Sequence, residues 1–125
     1  MSERSGAAQN GYPTVQLRHE LPDGSHHVDW MLATDPAGEQ PLITFRLPRP
    51  LDDLKPQRPT PLLRLADHRP AFLTYEGPIS RNRGQVKRVR RGRILRWDRP
   101  GEDEWELQAA WEWPEGGETR QQLRR

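Results

Sequence analysis

The stretch HELPDGSHHVDWML, from His19 to Leu32, gathers three of the chain's four histidines around one turn and adds Asp29. Side chains two apart along a strand point the same way, so His27, Asp29 and Met31 share one face while Val28, Trp30 and Leu32 share the other. The intervening Leu21-Pro22-Asp23-Gly24-Ser25 is a strong turn signal that folds the chain back and lays His19 beside His27. Two imidazoles and a carboxylate on one patch form a facial set for a divalent cation, leaving positions open for water or a phosphate oxygen. His26 points to the opposite face and is the weaker ligand. With Cys 0 the donors are nitrogen and oxygen alone, which suits manganese, iron, cobalt or zinc without choosing among them. The plain alternative is a group of solvated histidines beside a turn.

Positioning such a set requires strands, and the remaining pattern supplies them. Val15 and Leu17 alternate with polar neighbours from Thr14 to His19, and His26 to Ala33 reads as the returning strand of a hairpin. Ile43, Phe45 and Leu47 share a face of Leu42 to Leu47. Five prolines between Pro48 and Pro61 exclude a central strand there and leave a long loop. Further strands are expected at Leu62 to Ala66, Ala71 to Tyr75, Gln85 to Arg90, Ile94 to Trp97 and Trp105 to Trp113, with Gly92 and Pro100-Gly101 as turn residues. In the last strand Trp105, Leu107, Ala109, Trp111 and Trp113 fall on one face. No long 3.6-residue stripe competes. The expected fold is mostly β, a small closed or partly open barrel of about seven or eight strands with little helix. Met1 to Pro13 reads as a disordered tail, and residues 14–125 as a single domain.

Composition narrows the classes further. Charged residues make up 30% of 125 and hydrophobic ones 32%, so the five tryptophans must supply much of the core. There is no run of about 18 apolar residues and no apolar segment at the N-terminus, which predicts a cytoplasmic protein with no membrane partner. Net charge is only +2, yet Arg81 to Arg96 carries eight Arg/Lys and no acid, while Asp98, Glu102, Asp103, Glu104, Glu106, Glu112, Glu115 and Glu118 follow. That segregation fits either a polyanion partner or opposite charges facing across adjacent strands.

Four blocks, HELPDGSHHVDWML, LITFRLPRP, LADHRPAFLTYEGPIS and RGQVKRV, resemble in order the 3'-phosphoesterase domain of bacterial DNA ligase D and its small stand-alone relatives. The resemblance covers Val15 to Trp105. It rests on a His followed after a turn by His-x-Asp, and on Asp67-His68 leading to Tyr75-Glu76-Gly77. It implies a compact β-barrel whose concave face binds manganese and phosphate, acting on DNA 3' ends to remove a terminal phosphate or ribonucleoside. Partners would be DNA 3' ends and a ligase or polymerase encoded elsewhere. By this resemblance His19, His27 and Asp29 hold the metal, with His27 and His68 as the catalytic histidines and His68 on the scissile phosphate. Arg49 stands where the family often has a lysine near the phosphate, and Arg81, Arg83, Lys87 and Arg88 track the DNA backbone. Met31 and Phe72 stand where the ligase domain has arginine and tyrosine. Those two differences motivate a second expectation, a non-catalytic module of the same fold that binds DNA ends. A third is a phosphoesterase acting on a small phosphorylated substrate.

Overall fold

The structure, a computed structural model, describes residues 11–50, 63–98 and 106–124. Its strands are β1 (Tyr12–Glu20), β2 (His26–Leu32), β3 (Leu42–Leu47), β4 (Leu63–His68), β5 (Gly77–Pro78), β6 (Gln85–Asp98), β7 (Glu106–Glu112) and β8 (Glu118–Arg124). They form one antiparallel sheet ordered β4-β3-β2-β1-β6-β7-β8, with β5 pairing beside β6. Among the described residues the ends of that path do not pair with each other, so the fold is a mostly-β, partly open barrel. Among the described residues no helix is long and apolar enough to cross a membrane. The proposed tail at residues 1–10, most of the proline-rich loop, Pro100-Gly101 and Trp105 lie outside the described residues.

Two apolar clusters occupy the two faces of the sheet. One joins Trp30, Phe45, Ile94, Leu107 and Trp111 with Val28, Leu32 and Leu47. The other joins Val15, Leu17, Met31, Leu42 and Val86, with Phe72, Leu73 and Ile79 packed against it. Because β1 lies between β2 and β6 and its middle is covered on both faces, polar residues there are buried too. Thr14 and Gln16 are fully buried, and Thr14 Oγ1 donates to the Met31 carbonyl while accepting from Trp30 Nε1. A buried hydroxyl keeps its place only when partnered in this way.

Several boundaries differ from the sequence pattern. β1 begins at Tyr12, inside the expected tail. Ala71 to Tyr75 is not a strand: Pro70–Leu73 forms a single 3-10 turn, because proline's fixed φ suits a first helical turn. The two strands expected on either side of Gly92 are one, β6. Gly92 is no turn residue. It lies opposite Thr14 and Trp111 in the sheet interior, where an added Cβ would stand 2.2 Å from the Ala110 carbonyl oxygen and 2.8 Å from the Trp111 ring. Gly92→Ala is therefore expected to destabilise the fold by about 1–3 kcal/mol through overpacking, measurable as a lower urea midpoint. β8 was not signalled by apolar alternation; Gly116 and Gly117, both at positive φ, turn the chain back after β7 so that β8 pairs along it.

Candidate metal centre

The β1–β2 hairpin builds the site. Asp23 Oδ1 accepts from the backbone N–H and hydroxyl of Ser25, Gly24 takes positive φ, and the Leu21 N–H donates to the Ser25 carbonyl. This closes the turn in the register that makes His19 the direct cross-strand partner of His27. Their rings meet edge-on with centroids 4.8 Å apart. Asp29, two residues on, lies on the same face and is only 3% exposed.

The donor atoms converge. His19 Nδ1 is 3.2 Å from His27 Nε2 and 3.7 Å from Asp29 Oδ2, and His27 Nε2 is 3.2 Å from Asp29 Oδ1. A cation bonded to nitrogen and oxygen at roughly 2.0–2.2 Å separates adjacent donors by about 2.8–3.6 Å, so the spacing suits one shared ion. Two further observations agree. His19 Nε2 lies 2.8 Å from the Arg83 carbonyl, which can only accept, so Nε2 carries the proton and the neutral ring leaves a lone pair on Nδ1. Among the described residues Asp29 Oδ1 is buried without a hydrogen-bond partner despite its close neighbours.

Burial, ahead of all other influences, lowers the His27 pKa from 6.5; Arg46 and His19 add to the lowering, while Asp29 opposes it. The neutral ring that a metal needs is thus favoured. The unfolded chain binds a proton at His27 near the ordinary value, whereas the fold resists it until lower pH. In that window the unfolded state holds more protons, so the metal-free protein should lose stability as pH falls just below 6.5. Urea midpoints across pH 5–7 check this, and His27→Gln should flatten that part of the slope.

The trio opens into a cavity of about 610 Å³ that His19 and Asp29 share with His68, Arg69, Arg83 and Tyr75. His68 ends β4, and its Nδ1–H donates to the Ala66 carbonyl, leaving Nε2 as the nitrogen available for proton exchange. The cavity is on the sheet face carrying Leu17 and Met31, away from the tryptophan cluster. Arg49 lies on an exposed bend after β3 and does not line the cavity.

The basic residues divide by face. Arg81 and Asn82 hold positive φ in the turn before β6, and Arg83 reaches the cavity. Arg88 pairs with Leu17, on the face of the trio, while Lys87 pairs with Arg18 on the other. Further along β6, Arg91 pairs with Glu112 on the adjacent β7, and Arg93 reaches past β7 to Glu118 on β8, so some of the late positive charge is met by carboxylates of the same sheet. Glu76 accepts from the backbone N–H of Arg88, beside the irregularity in the β1–β6 register, which explains why a carboxylate is useful there.

Sequence reasoning missed Arg46. It is the cross-strand partner of Asp29, with Nε 3.8 Å from Asp29 Oδ1. Its signal lay in β3: if Ile43, Phe45 and Leu47 face the core, Arg46 faces the other way. Only the register of β2 against β3 puts it at Asp29.

Fold and site together define a mostly-β, partly open barrel carrying a candidate His–His–Asp cation site on one sheet face. No family model, curated protein or solved structure matches the chain.

Proposed function

We propose that the protein is a metal-dependent phosphoesterase acting on nucleic-acid 3' ends, with manganese as the expected metal. The observation that carries the reading is the convergence of His19 Nδ1, His27 Nε2 and the Asp29 carboxylate at donor spacing, with His19 and Asp29 lining one cavity with His68. The resemblance of the four sequence blocks to the ligase 3'-phosphoesterase domain supports the substrate class.

His19, His27 and Asp29 would hold the metal. When bound, a divalent cation neutralises nonbridging phosphate oxygens and lowers the pKa of a water. The chain's own residues supply the rest. The Arg83 carbonyl fixes the His19 tautomer, and Arg46 balances the charge of Asp29. His68 exchanges a proton at Nε2 with the phosphate or the departing 3' oxygen. Water adds its oxygen to phosphorus, the bond from phosphorus to the 3' oxygen breaks, and that oxygen leaves protonated as the 3'-hydroxyl.

The test is a primer carrying a 3'-phosphate, incubated with manganese and purified protein. Release of phosphate that disappears with His27→Ala is the expected result. Manganese binding with an intact primer at high protein concentration overturns it. A second reading, a module that binds DNA ends without turnover, is favoured by the apolar Met31, 1% exposed, and by Phe72, which has no hydroxyl, at family arginine and tyrosine positions. It predicts salt-dependent binding of DNA ends, without product.

A further inference from the structure

We infer that the cavity takes a nucleoside phosphate as a unit, its base laid against Tyr75, which makes Tyr75 a specificity-determining residue. The inference rests on the phosphoesterase reading and names which part of the substrate is recognised besides the phosphate.

The cavity lining combines two unlike kinds of group. His19, Asp29, Asp67, His68, Arg69 and Arg83 are charged groups or imidazoles. Phe72, Tyr75 and Ile79 supply an apolar wall. A bare phosphate needs only the polar groups. Its volume, about 610 Å³, lies within the roughly 300–1,000 Å³ of small-molecule sites, which join an apolar lining to a few placed polar groups.

The wall has the geometry of a stacking platform. His68, Phe72 and Tyr75 form a series of edge-to-face contacts, with centroids 5.7 Å apart for the first pair and 6.1 Å for the second. The Tyr75 hydroxyl donates to the Pro78 carbonyl, which tethers the ring. Yet Tyr75 is 41% exposed, one of two large hydrophobic residues exposed among the described residues; the other, Leu63, stands on β4. A tethered aromatic ring left open beside cationic groups matches the base and phosphate of a nucleotide, since every base offers a π-face. Phe72, partly buried and packed edge-on between His68 and Tyr75, serves as the support behind Tyr75.

The experiment titrates manganese-loaded protein with thymidine 3'-monophosphate, with an abasic sugar 3'-phosphate, and with inorganic phosphate. Base stacking predicts that the nucleotide binds about tenfold tighter than the abasic probe. Tyr75→Leu should bring the two together, and Tyr75→Phe, which keeps the ring, should hold them apart. A manganese titration of each variant checks that the trio is intact. Equal affinities in the wild type, or a preference that survives Tyr75→Leu, overturns the inference while leaving the phosphoesterase reading standing. If manganese loads and no phosphate probe binds, the phosphoesterase reading fails and this inference with it. A 3'-phosphorylated oligonucleotide in the same series separates the two sources of the ligand: tighter binding than the mononucleotide marks a nucleic-acid end, and equal binding marks a free nucleotide. Either result supports the recognition at Tyr75.

Discussion

Replacing Asp29 with asparagine is expected to weaken manganese binding by on the order of 100-fold or more, since losing even an outer-shell partner of a metal site costs about 10–100-fold. Asp29 contributes the trio's only carboxylate, and its side chain is almost fully buried. Asparagine has the same shape, which separates loss of a ligand from loss of the fold. Calorimetric titration measures the affinity directly. Thermal melts give a second readout: a ligand present at about 100 times its dissociation constant stabilises by about 2.7 kcal/mol, so manganese should raise the melting temperature of the wild type and leave that of Asp29→Asn in place. A variant that still binds manganese at wild-type strength would show that the three side chains are not the site.

Trp30→Ala is expected to cost about 3–5 kcal/mol, a large share of the roughly 5–15 kcal/mol that holds a domain folded. Trp30 sits between Asp29 and Met31 on β2 but faces the other way, fully buried, with its ring 5.6 Å from that of Phe45. Its Nε1–H donates to Thr14 Oγ1. Truncation removes the largest side chain behind the site and one of the two bonds that hold the buried Thr14 hydroxyl. Trp30→Phe refills part of the space and should lose much less. Urea unfolding of both variants measures the difference, and a loss below about 1 kcal/mol for Trp30→Ala would mean that this part of the interior can collapse around the gap.

The hairpin that carries the trio was the most legible part of the sequence. A five-residue turn between two runs of period two fixes both which side chains share a face and which residues meet across it, so His19, His27 and Asp29 followed from local rules. β3 followed in the same way. Other parts depended on neighbours far along the chain. Gly92 reads as a turn residue between arginines, and only the close approach of Ala110 and Trp111 explains why it stands in mid-strand. Thr14 and Gln16 look like the solvent side of β1 until β1 is found at the centre of the sheet. Arg46 could be given a face from β3 but not an address, because strand register across a longer connection is not written locally. The polar β8 had no apolar alternation to reveal it; pairing with β7 makes it a strand.

Among the described residues the strand path ends at β4 on one side and at β8 on the other, so two strand edges border the described fold. Such rims invite copies of a molecule to join into ribbons. Here Arg64 and Asp67 on β4, and Glu118 and Arg120 on β8, hold salt bridges along those rims. Any stranger docking there must strip water from fixed charges. Charges fixed along an open strand edge disfavour pairing with a further strand, a protection that a fully closed cylinder does not need.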